Sequence, residues 1–213
     1  MHIVKFTVNP FGENTYILKS NASSKAIVVD PGMMTAAERE AVDGYIEQNQ
    51  LEPQCILVTH MHVDHVASAA WLAGKYGIKI KASKADAALA ASLPAQAARF
   101  GLKIEVNAIE TYDAIGDGDS LSLDGETINV LASPGHSPGG LAFYLPQSSA
   151  VLVGDSLFLG SIGRTDLPGG SHEQLVESIK AKILTLPGGT TVLPGHGPQT
   201  SVAGEMSHNP YLQ

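Results

Sequence analysis

The chain has 213 residues, 44% hydrophobic and 16% charged, with a formal net charge of -8. This is a globular composition, and the acidic balance excludes the basic footprint of a nucleic-acid-binding domain. A lone cysteine, Cys55, excludes an internal disulfide, and no apolar run approaches the ~18 residues of a membrane span.

The start, MHIVKFTVNP, has no secretory-signal pattern, so a soluble, cytoplasmic protein is expected, with residues 1–213 as a single domain. HIVKFTV, NTYILKS and KAIVVD are short and rich in β-branched or aromatic residues, with GEN and SNASS between them. They predict three strands. Thr35 predicts a helix cap ahead of AAEREAVDGYIEQNQ, with Glu38 at capping-box spacing. Pro53 resets the chain before CILVT, a buried strand that makes Cys55 an inert thiol. Beyond His65, the residues Val66, Ala69, Ala70, Ala73 and Tyr76 stand at helical spacing, and Gly77 suits the stop.

IKIKAS predicts a further strand. An alanine-rich helix is expected from Ala85 to about Leu93, ended by Pro94. GDGDSLSLDGETINVLAS holds two strands and tight turns, and LAFYL and AVLVGD are two more strands. Ser171 and Gln174 have capping-box spacing at the head of the amphipathic run SHEQLVESIKAKILTL, which Pro187, Gly188 and Gly189 close. TTVL is expected as the last strand. A short echo runs through this pattern: LVTH, VLASPGH, AVLVGD and VLPGH are apolar strands ending at His60, His136, Asp155 and His196. Strand ends on a rigid sheet are where functional groups are usually displayed.

The stretch THMHVDH packs His60, His62, Asp64 and His65 together. Imidazoles this close repel when protonated and need partners when buried. His60 and His62, two apart in an extended loop, point the same way and can grip one ion. Asp64 and His65 can face a second ion as the chain turns into the helix. With His136, Asp155 and His196 there are five imidazoles and two carboxylates. That set exceeds one tetrahedral site and suits two ions sharing a carboxylate. The expected assignment gives His60, His62 and His136 to the first ion and Asp64, His65 and His196 to the second, with Asp155 bridging. Two divalent ions, zinc first with iron or manganese as alternatives, would sit ~3.5–4 Å apart and support attack by a metal-bound hydroxide. One metal, with the remaining groups supporting its ligands, is the competing arrangement.

Two further residues are weighed as substrate contacts. Arg164, in GRTD, suits a substrate carboxylate, although pairing with Asp166 to brace its loop is the favoured reading. Tyr144, in LAFYL, either approaches substrate or packs in its strand. His172 and His208 are not expected as ligands, and Asn14 and Tyr16 have no role legible from the residues alone.

In order and approximate spacing, VVDPG, THMHVDH, SPGHS, VGDSLF and LPGHG resemble the motifs of the metallo-β-lactamase superfamily across nearly the whole chain. The resemblance implies an α/β fold, a four-layer αββα sandwich with the metals at one edge of the sheets and Asp30 nearby. GENTYIL at 12–18 and LFLGSIGRTDLPGG at 157–170 are similar to the glyoxalase II branch, in particular to the short bacterial hydroxyacylglutathione hydrolases. That implies a dinuclear hydrolase of small-molecule thioesters such as S-lactoylglutathione, with Asp64 and Asp155 acting through the metals. Full-length glyoxalase II adds a helical C-terminal region that supplies much of its glutathione site, whereas this chain ends at HNPYLQ. Sulfur dioxygenases acting on glutathione persulfide share the fold and a GRTD-type loop. They hold one iron with the equivalents of His60, His136 and Asp155, and give the second reading. A lactonase or β-lactamase-like hydrolase is the third, and a non-enzymatic metal-binding module the fourth.

Overall fold

A computed structural model describes residues 1–213. The first sheet holds β1 (His2–Val8), β2 (Glu13–Lys19), β3 (Lys25–Val29), β4 (Glu52–Leu57), β5 (Lys79–Ala82) and β6 (Asp113–Ala114), in that spatial order. β1 to β3 run antiparallel through short turns, while β3 to β6 are parallel. Parallel neighbours need crossovers, and helices supply them. These are α1 (Ala36–Gln48), the pair α2 (Val63–Val66) and α3 (Ala69–Tyr76), and the pair α4 (Ala87–Ala91) and α5 (Leu93–Arg99).

The second sheet is built from β7 (Ser120–Leu123), β8 (Glu126–Ala132), β9 (Leu141–Leu145) and β10 (Ala150–Gly154), followed in space by two later strands. A small hairpin, β11 (Leu157–Phe158) and β12 (Ser161–Ile162), precedes α6 (His172–Ser178). β13 (Thr191–Pro194) then lies parallel to β10, β14 (Thr200–Ser201) closes the edge, and α7 (Val202–His208) follows. Asp124 and Gly125, both at positive φ, make the tight turn between β7 and β8.

Strand alternation sorts the apolar residues into three buried layers. Ile17, Val28 and Ile56 face α1 and α3, packing with Val42, Ile46 and Leu72. Leu18, Ile27, Val29 and Leu57 point the other way and meet Ile128, Val130, Phe143 and Leu152 of the second sheet. Val151, Val153 and Val192 cover Leu175, Ile179 and Val202 on the outer side. Three apolar layers separate four layers of secondary structure, which is the expected αββα sandwich. Cys55 lies in the layer between the sheets, where burial pushes its thiol up to about 11, in keeping with an inert side chain. No helix is long and apolar enough to cross a membrane.

Three expectations change at the level of elements. Pro94 does not end a helix; it occupies the first turn of α5, where its missing N–H costs nothing. TTVL is followed by β14, which pairs Thr200 and Ser201 back onto it. Only half of the Ser171 box forms, with Ser171 accepting from Gln174 N–H at 3.3 Å, and the run after α6 widens into a π turn over Ile179–Ile183.

The capping box on α1 forms in full. Burial alone would raise the Glu38 carboxyl, but backbone N–H donors from Thr35, Met34 and Asn9 at 2.8–2.9 Å hold it below its ordinary value. Through Asn9 the box ties α1 to the β1–β2 loop. A carboxyl lowered by folding stabilises above its unfolded titration range and loses that contribution as pH falls through the folded value. Glu38→Ala is therefore expected to cost about 1–2 kcal/mol at pH 7. The difference from wild type should shrink once the medium is acidic enough to protonate Glu38, as urea denaturation across pH would show.

Candidate metal centre

Four strand ends converge at one edge of the sandwich. The chain leaves β4 through Thr59 to His60, and α2 then carries Asp64 and His65 on its single turn. His136 follows β8, Asp155 follows β10 directly, and His196 lies two residues past β13. Gly154 makes the turn to Asp155 with φ +51°, and any Cβ there would meet Thr59 Oγ1 at 2.4 Å. At Gly195, a Cβ would fall 2.4 Å from Asp155 Oδ1 and 2.6 Å from His65 Cε1. The His196 loop can pass this close only because it carries no side chain at that point.

The donors form two adjoining sets. His62 Nδ1 lies 2.9 Å from His136 Nε2, which lies 3.2 Å from His60 Nε2. His65 Nε2 is 3.3 Å from Asp155 Oδ1 and 3.8 Å from Asp64 Oδ2. His196 Nε2 is 3.3 Å from Asp64 Oδ2 and 3.5 Å from Asp155 Oδ2, and that oxygen is 3.6 Å from His136 Nε2. Asp155 thus touches both sets, and all seven expected residues come together.

The opposite ring nitrogens fix the tautomers. His136 Nδ1 donates to the Arg164 carbonyl at 2.8 Å, and His196 Nδ1 to the Phe11 carbonyl at 3.1 Å. His65 Nδ1 donates to Asp30 Oδ2 at 3.0 Å. The Thr59 hydroxyl gives its proton to Asp30 at 2.6 Å and so accepts from His60 Nδ1 at 3.1 Å. Each of these rings therefore carries a proton at Nδ1 and turns its Nε2 to the centre. Burial, reinforced by neighbouring imidazoles, pushes His60 well below its usual value and His62 down to about 4. Burial opposes ionisation of Asp64 and Asp155, yet the charge of His65 holds both below the usual carboxylate range. Neutral imidazoles and ionised carboxylates are the metal-binding forms, so a cation would take the place of the Nε2 proton that Asp155 and Asp64 favour on His65. The Nε2 lone pairs of His60 and His136 lie 3.2 Å apart with no proton between them and repel unless a cation lies among them. His65 Nε2 and Asp155 Oδ1 are buried without any hydrogen-bond partner. The residues therefore fit bound divalent metal.

The supporting residues were largely illegible in the sequence. Glu13, wholly buried, accepts from the Thr15 hydroxyl at 2.9 Å and lies 3.9 Å from His65 Nδ1; burial holds its carboxyl well above the ordinary value. Asn14 donates to the Pro194 and Gly197 carbonyls, and Tyr16 OH to Pro194, so the GENTYIL motif clamps the His196 loop. Asp86, 1% exposed, accepts from Met61 N–H at 3.0 Å, Ser137 Oγ at 3.0 Å and Gly139 N–H at 2.6 Å. It joins the His60–His62 loop to the His136 loop. Asp86→Ala leaves these buried donors unmet. We expect a loss of about 3 kcal/mol in urea denaturation and a 10- to 100-fold weaker metal affinity in chelator competition.

The two substrate candidates are not brought to the centre. Arg164 is exposed and makes a bidentate pair with Asp166 at 2.7 Å, the favoured brace. Tyr144 pairs with Asn129 and Val151 within the sheet, and its ring packs on the outer apolar layer, away from the strand ends. His172 and His208 lie on α6 and α7, apart from the donor sets.

Comparison with known proteins agrees with this geometry. The family model described as metallo-beta-lactamase superfamily matches residues 8–196. A probable metallo-hydrolase, YqgX of Bacillus subtilis (strain 168), is 37% identical over 98% of this chain and 96% of its own. Hydroxyacylglutathione hydrolase GloC of Haemophilus influenzae is 36% identical over 100% of this chain and 98% of its own. The crystal structure of TTHA1623 in a di-iron-bound form superposes with a TM-score of 0.87 at 35% identity, covering 98% of this chain and 100% of that one. Motifs, sandwich and donor sets agree with these matches, and the chain belongs to the metallo-beta-lactamase superfamily, as one of its metallo-hydrolases.

Proposed function

We propose that the chain hydrolyses a small-molecule thioester, with S-lactoylglutathione as the reference substrate and two divalent ions, zinc first, as cofactors. The observation that carries this reading is Asp155, which reaches both donor sets: Oδ1 is 3.3 Å from His65, and Oδ2 is 3.5 Å from His196 and 3.6 Å from His136. Similarity to a hydroxyacylglutathione hydrolase over the full chain supports the thioester class.

Bound divalent ions supply an activated water nucleophile and a Lewis acid for the carbonyl oxygen. The protein's part is to hold the site rigid. His60, His65, His136 and His196 are each pinned through Nδ1, so their Nε2 atoms need no reorganisation when charge develops. Asp30 serves two of these rings at once, directly to His65 and through Thr59 to His60. A thiolate leaves readily, so this chemistry needs no separate general acid.

The test is metal content by mass spectrometry, on protein purified without added metal or chelator, followed by S-lactoylglutathione hydrolysis. Near two equivalents per chain with turnover supports the proposal. Near one equivalent of iron, with oxygen uptake on glutathione persulfide, replaces it with the dioxygenase reading.

A further inference from the structure

A cleft of about 470 Å³ opens beside His62, between α4–α5 and the Leu167–Gly169 segment. That is the size of a small-molecule site. Its walls are Ala88, Leu89, Ala95, Phe100, Pro138 and Pro168. Phe100 meets Phe11 edge-on at 5.6 Å, extending the apolar wall to the loop whose carbonyl holds His196.

The polar side chains that α5 and its N-cap bring to the cleft are committed, with one exception. Gln96 accepts from Val63 N–H at 3.0 Å and donates to the Met61 and Leu89 carbonyls. The Ser92 hydroxyl donates to Leu89 at 3.0 Å. Arg99 is the exception. It lies one helical turn beyond Gln96 on α5, and the nearby carboxylate of Asp166 is already held by Arg164 through both oxygens. An apolar trough that starts at a metal-site histidine and ends at an unpaired guanidinium suits a hydrocarbon with one terminal anion.

We propose that this cleft binds the thiol-side arm of the substrate and selects arms that are hydrocarbon chains ending in a single carboxylate, met by Arg99. The inference rests on the thioesterase reading. The lactoyl group has only three carbons, so the cleft is sized for the longer thiol side. Glutathione would bring two carboxylates, an ammonium and two amides to a largely apolar wall whose Gln96 and Ser92 side chains are spent. Desolvating them unpaired is unfavourable.

Two experiments decide it. The first compares S-lactoyl thioesters of 6-mercaptohexanoate, 6-mercaptohexanol and glutathione. A carboxylate–guanidinium contact predicts kcat/KM about tenfold or more higher for the hexanoate than for the alcohol or glutathione, expressed mainly in KM. Arg99→Ala should bring the carboxylate-to-alcohol ratio near one, and Arg99→Lys should keep part of it. Equal turnover of all three, or preference for glutathione, overturns the inference and leaves the thioesterase reading intact. The second experiment needs no turnover: hexanoate is titrated into the metal-loaded protein while backbone amides are followed by NMR. Saturable shifts along residues 85–100 that Arg99→Ala abolishes support the cleft, even if no thioester is hydrolysed. Shifts confined to residues 60–65 that survive Arg99→Ala place the carboxylate elsewhere and overturn it.

Discussion

Replacing Asp155 with alanine is expected to lower kcat/KM by at least about a thousandfold, roughly 4 kcal/mol of transition-state stabilisation. Bound metal should fall below two equivalents in the same preparation. The other donors each belong to one set, whereas Asp155 Oδ1 is 3.3 Å from His65 Nε2 and Oδ2 is 3.5 Å from His196 and 3.6 Å from His136. Its loss weakens both sets and removes the negative charge closest to His65 Nε2, on a ring that Asp155 and Asp64 hold well above its usual value against burial. Asp64→Ala is the informative comparison. Asp64 Oδ2 contacts only His65 and His196, at 3.8 and 3.3 Å. That variant should keep the His60, His62 and His136 set and one equivalent of metal. Mass spectrometry and steady-state kinetics on both proteins separate a bridging ligand from an ordinary one. Full turnover with two ions in Asp155→Ala would remove Asp155 from the centre.

The donors themselves were legible because each has a local signature. His60, His62, Asp64 and His65 share one loop and one helical turn, and His136, Asp155 and His196 each terminate an apolar strand. Sheet alternation then carries those ends to one edge. The supporting residues lack such a signature because their partners are remote in sequence. Tyr16 reaches Pro194 across 178 positions, and Asp86 reaches Gly139 across 53. A buried Glu-Asn-Thr at the head of an apolar strand was the available hint, since polar groups sealed in a core need partners from another segment. Tyr144 shows the converse. Strand parity alone separates it from Phe143, which faces the layer between the sheets. The cleft was invisible because Arg99 and Phe100 gain meaning only when α5 packs beside His62, a placement made by Gln96 bonding to the backbone at Met61 and Val63.

Stripping the ions with a chelator is expected to lower the Tm by about 8–16 °C for each ion removed. A ligand bound only by the folded state at about a thousand times its Kd stabilises by about 4 kcal/mol. For a chain of this length each kcal/mol corresponds to about 2–4 °C. The physical source is the crowding noted in the sequence. His60, His62, His65 and His136 are at most 9% exposed, so without cations their ring nitrogens crowd one another and the carboxylates out of reach of water. Calorimetry of the chelated protein, followed by titration with zinc, manganese or ferrous iron, reads the effect directly. The Tm should climb until two equivalents are added and then level off. In Asp64→Ala it should level off near one. A chelated protein that melts with the wild type would mean that hydrogen bonds such as those of Asp30 and Asp86 already hold the loops, and that the ions contribute chemistry without contributing to the fold.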